Sequence, residues 1–392
     1  MDAKAQARRQ TGPASRVEVV PADGLRAFLA FCRLPRQIYA GLPGFAPPLD
    51  AERWTLFSPK LSPHFRQVEA QFFLALKDGA PAGRILAQVY KQGHPDPVGA
   101  SRAQFGCLDA IDDEAVVAAL TGAAERWLKE RGAQRINGPF SPSVWGEPGV
   151  LVKGFEAPPM VFSAWSPPYL GPLVERAGYA KARDLVSYSY HVTEKDRETK
   201  PVIVNRPEWR DRLKIRGFDM KNLKADAAII IDIFNDAWAE NWGFVPFTLE
   251  EFMSSADALK VIMPPEGGFM IELDGEPQAF AIVLPNLNEI TADLGGRLLP
   301  FGLPKLVSRV RGHKFKSGRL LLFGLRRALQ RKAAGGAVIL AFIEEIRRRS
   351  SGSAYRDVEF GWVLEDNMGM RRPIELAGAS LDKIHRIYEK SL

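Results

Sequence analysis

The chain has 392 residues, of which 46% are hydrophobic and 25% are charged, and its formal net charge is +7. This composition argues against a disordered or fibrous protein, and the length indicates two domains. Two isolated cysteines, Cys32 and Cys107, and five scattered histidines show no ligand spacing, so we expect no metal site in a reduced, cytoplasmic protein.

The sequence pattern contains no signal for a membrane span. Residues 1–16 are polar and basic without an apolar stretch, and we expect a disordered basic tail there rather than a signal peptide. No run approaches the roughly 20 apolar residues that a membrane-spanning helix needs. Any membrane contact should therefore be peripheral.

In chain order, the first half alternates between strand and helix patterns. The predicted elements are a strand at 16–20, a helix at 24–31, strands at 71–76 and 82–90, a strand at 105–108, a helix at 113–131, a strand at 135–138, a helix at 170–177 and a strand at 184–192. Asp78-Gly79, between the second and third strands, is a strong hairpin signal. Residues 138–169 contain seven of the 29 prolines and are predicted to be a long loop over the sheet.

The second half gives a similar pattern. Its predicted elements are a helix at 225–240, a hairpin at 269–273 and 279–284, a strand at 320–324, a helix at 335–349, a strand at 357–364, a helix at 368–376 and a strand at 383–388. This order predicts an α/β fold with a mixed sheet, in which a ligand binds where the strands separate.

Matching positions in the two halves indicate an internal repeat. Asp274-Gly275 follows Asp78-Gly79 by 196 residues, and Tyr388 follows Tyr188 by 200 residues. Near-constant offsets are typical of one fold present in two tandem copies. The predicted domains are 17–194 and 208–392, joined by a polar linker at 195–207.

A basic segment of small residues follows the predicted strand at 320–324. Small residues let the backbone approach a ligand, and free amide N–H groups at a helix N-terminus attract anions. With four nearby cations the segment predicts a diphosphate-binding loop, although a basic loop that only caps a surface helix is the alternative. The residues assigned to it are Leu325, Gln330, Arg331, Lys332, Ala333, Ala334 and Gly335.

This loop resembles the cofactor motif Gln/Arg-x-x-Gly-x-Gly/Ala of the GNAT superfamily of acyl-CoA N-acyltransferases. Gln330, Ala333 and Gly335 stand at its places, with Ala333 where the family usually has glycine. Asn367, after the strand at 357–364, matches a second family motif whose asparagine contacts the pantetheine arm. The resemblance implies acyl-CoA as the acyl donor and no metal.

Acyl transfer to an amine needs a base that takes a proton from the acceptor ammonium. Glu359, on the strand expected beside the thioester, is the predicted base, with Glu289 and Asp236 in reserve; a surface salt bridge is the alternative for each. In many GNAT members a tyrosine seven residues after the asparagine protonates the thiolate. Ile374 occupies that place here, so Tyr388 is the predicted substitute.

The first copy carries acids where the second has its basic loop. Asp109, Asp112, Asp113 and Glu114 follow the strand at 105–108. They would repel a diphosphate by roughly 1 to 4 kcal/mol per nearby pair at effective dielectric constants of 80 to 20. We therefore predict that the first copy is degenerate and supports the second, although it can still shape the acceptor pocket.

Aromatic and amide side chains in the second copy predict an acceptor with an apolar tail. The predicted substrate-binding residues are Asn241, Trp242, Phe244, Asn286, Asn288 and Glu289. An insertion at 295–318 repeats apolar residues at helical spacing among several cations. It is expected to lie on an anionic inner-membrane surface or to cover a lipid chain, or alternatively to pack on its own domain.

Over nearly its whole length the chain resembles a bacterial group of tandem GNAT-like proteins that includes the bacterial ceramide synthases. The matching segments are Leu34-Pro35-x-x-Ile38-Tyr39, Pro47-Pro48-Leu49, Gly138-Pro139, Asn241-Trp242-Gly243-Phe244-Val245-Pro246, Trp362-x-Leu364-Glu365-Asp366-Asn367 and Arg386-Ile387-Tyr388-Glu389-Lys390. This resemblance implies transfer of a fatty acyl group from acyl-CoA or acyl carrier protein to a primary amine, with a sphingoid long-chain base as the preferred acceptor.

Two other functions stay open at this point. Aminoacyl-tRNA-dependent peptidyl transferases also pair two GNAT-like domains and carry basic surfaces. A non-catalytic acyl-CoA or lipid sensor would explain Ile374 and Ala333, because both departures weaken catalysis more than binding. For the acyltransferase we expect neither a DNA nor a tRNA partner.

Overall fold

The computed structural model describes residues 16–194, 196, 201–253 and 262–392. The predicted tail up to residue 15, together with linker residues 195 and 197–200, lies outside these ranges. In the described ranges no helix is long and apolar enough to cross a bilayer.

The first half follows the predicted order of elements. They are β1 (Val17–Pro21), α1 (Gly24–Ile38), α2 (Asp50–Phe57), α3 (His64–Gln67), β2 (Val68–Lys77), β3 (Ala80–Tyr90), β4 (Ala103–Ala110), α4 (Glu114–Lys129), β5 (Arg135–Gly138), β6 (Val150–Lys153), α5 (Leu170–Arg176) and β7 (Ala180–His191). Asp113 begins α4 as its N-cap and accepts hydrogen bonds from the N–H groups of Ala115 and Val116.

The second half repeats the order of the main strands and helices, with two helices added between its hairpin and the next strand. Its elements are β8 (Leu213–Gly217), α6 (Leu223–Trp238), β9 (Gly268–Leu273), β10 (Glu276–Pro285), α7 (Asn288–Thr291), α8 (Gly302–Gly312), β11 (Ser317–Leu325), α9 (Ala333–Gly352), β12 (Asp357–Leu364), α10 (Met368–Leu376) and β13 (Ser380–Ser391). Both predicted hairpins are confirmed: the Asp-Gly pairs at 78–79 and 274–275 have positive φ at both residues, as a two-residue type I′ turn requires.

All the strands form one mixed sheet, and the two halves exchange their closing strands. The order is β1-β2-β3-β4-β5-β13-β7-β12-β11-β10-β9-β8, with β6 also paired to β13. Tyr388 of β13 is in register with Gly138 of the first half, while Tyr188 of β7 is in register with Phe360 of the second. Each half is thus completed by the other. The predicted domain limits, 17–194 and 208–392, stay a prediction and do not anticipate this exchange.

Helices cover both faces of the sheet in each half. Phe73 and Ala75 pack under α4, whereas Phe72 and Leu74 face α1. The second half places α9 and α10 on one face and α6 on the other. This alternation along each strand buries both faces and leaves the strand ends as the place for a site.

Several elements differ from the predictions, among them the helices α2 and α3, which were not predicted. The first helix continues to Ile38 because Cys32, Leu34 and Pro35 extend its buried face. The edge strand β8 was not predicted: it alternates apolar residues with charged ones, but for only five residues, and it pairs only with β9. The long loop at 138–169 contains the short strand β6, which pairs with β13.

Candidate functional site

The two parallel strands β11 and β12 separate near their middle. They pair from Ser317 and Asp357 up to Leu320 and Phe360, and then run on without pairing. Trp238 of α6 lies at this separation: its Nε1–H donates to the carbonyl of Phe323 at 3.1 Å, and its ring meets that of Trp362 edge-on at 5.6 Å. The sheet is therefore open at the place where the resemblance puts the pantetheine arm.

The predicted diphosphate loop lies directly beyond β11. Leu325 ends the strand, Arg327–Leu329 forms a 3-10 turn, and α9 begins at Ala333 with Lys332 as its N-cap. No side chain caps α9, and its first turn contains no acid. The N–H groups of that turn are available to an anion, and the helix dipole favours negative charge there.

Two of the predicted loop residues hold the loop itself in shape. Gln330 Nε2 donates to the Leu325 carbonyl at 3.0 Å and closes the turn. A Cβ on Gly335 would lie 1.9 Å from the Leu329 carbonyl oxygen, so this glycine serves the close approach of the turn to the helix. Gly336, by contrast, faces open space and is exposed.

Of the four cations expected around the loop, two are paired with acids on or just after α6. Arg326 contacts Asp232 at 2.6 Å, and Arg327 contacts Asp236 at 3.3 Å. Asp236 is therefore not a free reserve base. Arg331 and Lys332 form no ion pair with any described residue, so two cations and not four remain for an anion.

Glu359, the predicted base, lies in a buried charge cluster. Its exposed fraction is 1%, Lys383 Nζ donates to its Oε2 at 2.8 Å, and Arg319 Nε lies 3.1 Å from its Oε1. Burial alone would raise the pKa of Glu359, but Arg319 and Lys383 outweigh it and hold the pKa below its ordinary value. The carboxylate is therefore charged at neutral pH and less basic than a free one.

One oxygen of this carboxylate is in ion-pair contact with Arg319 Nε but accepts no hydrogen bond. Glu359 Oε1 has no hydrogen bond in the described structure, and neither does the buried hydroxyl of Ser187. A Cβ added to Gly361 would lie within about 3 Å of both atoms. Polar atoms that lack a hydrogen bond thus converge next to the residue at which β12 leaves β11.

The long loop of the first half crosses over and covers this cluster. The carbonyl of Val161 accepts a hydrogen bond from Arg319 Nη1 at 2.6 Å, and that of Ala164 accepts one from His385 Nε2–H at 2.8 Å. His385 is buried, and desolvation lowers its pKa to about 4, so it is neutral. The candidate site is consequently built from both halves.

Two of the predicted substrate-binding residues hold this crossing loop, and a third bonds within the second half. Asn286 and Asn288 both donate their side-chain N–H to the Pro159 carbonyl, at 3.2 and 3.1 Å. Glu289 accepts from the N–H groups of Lys316 and Ser317 at 2.9 and 2.7 Å. Burial would raise the pKa of Glu289, but these bonds and one from His313 lower it. All three side chains are engaged in structural contacts.

The aromatic cover also draws on both halves. Trp145, in the first-half loop, contacts Phe234, Trp238 and Phe244 with ring centroids 5.0, 5.7 and 5.9 Å apart. Trp242 Nε1–H donates to the Gly99 carbonyl at 3.0 Å. Asn241 adjoins Trp242 in the turn after α6, where its N–H donates to the Trp238 carbonyl. Sequence reasoning missed Trp145, because no pattern connected it with the second copy.

Asn367 and Tyr388 lie in different halves of the fold. Asn367 begins α10 as its N-cap, accepting from the Met370 N–H at 3.2 Å, and its amide nitrogen forms no hydrogen bond within the described ranges. Tyr388 lies in the core of the first half with its hydroxyl bonded to Glu175 at 3.1 Å. Strand exchange thus separates Tyr388 from the second-half loop, and the buried Ile374 offers no proton.

The corresponding gap in the first half is filled by its own chain. Phe140 N–H donates to the Phe105 carbonyl at 2.9 Å, and a Cβ on Gly106 would lie 1.6 Å from the Phe140 carbonyl oxygen. In the first half, the residue equivalent to Glu359 is Asn137. Asn137 pairs with Glu389 of β13, just as Glu359 pairs with Ser189 of β7. The first half therefore has neither the opening nor the carboxylate. In the described ranges no group of three or more potential ligands could hold a metal ion.

Comparison of the whole chain with known proteins gives two curated relatives. Protein YghO of Escherichia coli is 37% identical over 371 residues, which cover 94% of this chain and 93% of the relative. The bacterial ceramide synthase of Caulobacter vibrioides is 37% identical over 380 residues, covering 96% and 98% of the two chains. No family model matches the sequence.

Solved structures show the same fold at low identity. A tandem GNAT protein from the clavulanic acid biosynthesis pathway is 13% identical, with a TM-score of 0.53 and coverage of 96% of this chain and 98% of that one. A GCN5-related N-acetyltransferase from Sphaerobacter thermophilus is 16% identical, with the same TM-score and 95% coverage of each chain. The predicted tandem GNAT fold is confirmed.

Proposed function

Because the chain belongs to the bacterial family of tandem GNAT-like N-acyltransferases that includes the Caulobacter ceramide synthase, we propose that it joins a fatty acyl group to a sphingoid long-chain base. The similarity to that enzyme, which extends over 96% of the chain, is the observation that carries the proposal. The aromatic cover around Trp145 and Trp238 suits an acceptor with a long apolar tail.

The fold implies an acyl-CoA donor, and we propose that its diphosphate binds at the first turn of α9. The uncapped N–H groups of Ala333 and Ala334 provide donors, and Arg331 and Lys332 provide unpaired positive charge. The amide nitrogen of Asn367 is free to bind the pantetheine arm. An acyl carrier protein would present the same arm without the adenine nucleotide, so competition by free CoA distinguishes the two donors.

Glu359 is our proposed partner for the acceptor amine. In the transfer, the ammonium first gives one proton to Glu359 and becomes a neutral amine. Its nitrogen then forms a bond to the thioester carbonyl carbon, the carbon–sulfur bond breaks, and the second proton of the nitrogen passes through solvent to the departing thiolate, which leaves as free thiol. Oε1 of Glu359, which is in ion-pair contact with Arg319 but accepts no hydrogen bond, attracts the ammonium and accepts the first proton. Its low pKa limits its strength as a base, so orientation of the ammonium is a large part of its proposed contribution. No side chain is proposed as the acid.

The test is a transfer assay with the full chain, palmitoyl-CoA and sphinganine. We expect release of free thiol together with an N-acylated product identified by mass spectrometry. N-acetylsphinganine, which has the same tail but no free amine, is the matched control and should release no thiol. Thiol release at equal rates with both compounds would mean hydrolysis and would contradict the proposal.

The acceptor and donor of this reaction both carry long alkyl chains. We therefore also propose that the protein works in the cytoplasm in peripheral contact with the anionic inner-membrane surface. A non-catalytic sensor is the second candidate, and the buried Ile374 at the usual acid position favours it. Tight CoA binding without product from any long-chain amine would support the sensor instead.

A further inference from the structure

Four exposed apolar side chains lie close together in the second half. Leu299, Phe301, Leu303 and Val307 are 77%, 75%, 47% and 44% exposed. They lie within nine residues, at the tip before α8 and along its outer side, and α8 buries none of its residues. Contiguous exposed apolar surface on a globular domain marks an interaction site.

Positive charge surrounds these apolar residues. Residues 295–318 contain no Asp or Glu, and their basic residues are Arg297, Lys305, Arg309, Arg311, Lys314 and Lys316. Arg309 is paired with Asp293, and none of the other five forms an ion pair with a described residue. The segment therefore combines an exposed apolar tip with five cations that form no ion pair with a described residue.

The base of the segment is fixed to the fold. Arg309 Nη1 donates to the Ile290 carbonyl at 2.8 Å, and His313 Nε2 lies 3.1 Å from a carboxylate oxygen of Glu289. Leu306 and Val310 turn toward the protein and are half-buried. The apolar residues that recur at helical spacing therefore face two ways: Leu306 and Val310 contact the domain, and Leu303 and Val307 are exposed to solvent.

We propose that residues 297–316, the α8 surface, bind an anionic lipid bilayer. Apolar side chains at the tip enter the boundary between headgroups and acyl chains, while the surrounding cations contact lipid phosphates. RNA is the less fitting partner, because only one of the four exposed apolar residues, Phe301, has a ring on which a base could stack. This proposal does not depend on the identity of the acyl acceptor.

Flotation of the full chain with vesicles tests the proposal. Binding is expected to vesicles of phosphatidylcholine with one-third phosphatidylglycerol, to be weak on pure phosphatidylcholine, and to decrease with salt. The test variants are Leu299→Ser with Phe301→Ser, and Lys305→Gln with Arg311→Gln and Lys314→Gln. Each set should weaken binding at least tenfold, since a near-surface cation contributes about a factor of five.

Matched variants remove equal numbers of exposed groups elsewhere. The controls are Leu25→Ser with Leu61→Ser, which are 73% and 64% exposed, and Arg26→Gln with Lys60→Gln and Lys129→Gln. They should bind vesicles as the wild type does, and circular dichroism should show every variant folded. Absent vesicle binding, equal losses in the controls, or a loss of tRNA binding alone in the charge variant would each overturn the proposal.

Discussion

The hydroxyl of Tyr188 donates a hydrogen bond to Glu375 at 2.7 Å, and Tyr388 makes the same contact with Glu175 at 3.1 Å. Tyr388 follows Tyr188 by 200 residues in the sequence, and Glu175 precedes Glu375 by 200 residues. Each tyrosine stands on an exchanged strand, and each glutamate stands on the last helix of the half that receives the strand. The repeated contact joins the two halves in both directions.

This symmetry predicts a structural role for Tyr388. Tyr388→Phe should lower the free energy of unfolding by about 0.5–1.5 kcal/mol, because it removes one hydrogen bond, and should change turnover less than threefold. Tyr188→Phe is the matched variant and should show a larger loss in urea unfolding, because the Tyr188 hydroxyl also accepts a hydrogen bond from Arg371 Nε at 2.7 Å. A hundredfold loss of kcat in Tyr388→Phe alone would restore Tyr388 as the proton donor.

The loop before α9 predicts which glycine to change. A side chain at Gly335 would collide with the Leu329 carbonyl. If a Gly335 variant lost CoA binding, the loss could therefore result from a distorted fold as well as from a changed binding site. Gly336→Glu adds a carboxylate in open space, from which it points back toward the start of the helix. CoA affinity measured by calorimetry should fall at least about fivefold, since like charges about 4 Å apart repel by roughly 1 to 4 kcal/mol.

Gly336→Ala is the control for this change. It adds a Cβ without charge, and CoA affinity should stay within twofold of the wild type. The double variant Arg331→Gln with Lys332→Gln should also weaken CoA binding, as Gly336→Glu does, because it removes positive charge near the diphosphate. Unchanged affinity in both charge variants would place the diphosphate elsewhere.

The sequence repeat predicted two copies of one fold but not the exchange of their last strands. An alternating strand pattern determines which face of a strand is buried, and it carries no information about which neighbour the strand pairs with. The closing strands that contain Tyr188 and Tyr388 have similar patterns of apolar and polar residues. The sequence pattern therefore does not show which half of the sheet each strand joins. The position of Tyr388 was therefore assigned to the wrong half.

In the candidate site, too, the sequence predicted local structure but not the contacts between distant segments. Gln330, Gly335 and Glu359 lie on the elements on which the sequence placed them, because local patterns locate strand ends and helix starts. Their partners were not predictable: Arg319 and Lys383 around Glu359, or Asp236 beside Arg327, come from distant segments. Val161 and Trp145 cross from the first half for the same reason.

His385 predicts a pH dependence of stability. Burial lowers its folded pKa to about 4 from an ordinary 6.5, so between these values only the unfolded chain binds the proton. Stability should therefore be fully present above pH 6.5 and be lost as pH falls toward 4. Between pH 7 and pH 5 the wild type should lose about 2 kcal/mol more than His385→Gln in urea unfolding. Equal losses would exclude His385 as the cause.

Glu359→Gln should reduce both stability and turnover. Arg319 would be left buried without its counter-charge, whereas Lys383 keeps its contact with Asp382 at 2.6 Å. The unpaired arginine costs about 3–5 kcal/mol, and turnover should fall about 10²–10⁴-fold while CoA still binds. Glu359→Gln with Arg319→Met removes the surplus charge and should recover much of the stability measured in urea. If that double variant also recovers turnover, the carboxylate acts on the fold and not on the amine.

Trp145 predicts that the first half contributes to acceptor binding. Its ring packs against Phe234 and Trp238 of the second half, so Trp145→Leu should raise KM for the long-chain amine. Loss of aromatic contacts worth about 0.5–1.5 kcal/mol corresponds to a threefold to tenfold rise, with CoA affinity unchanged. Trp127→Leu, on α4 where Arg131 covers the ring, is the matched control and should leave KM unchanged. Equal increases in the two variants would reflect general destabilisation, and an increase confined to Trp145→Leu would mean that the acceptor is bound between the halves.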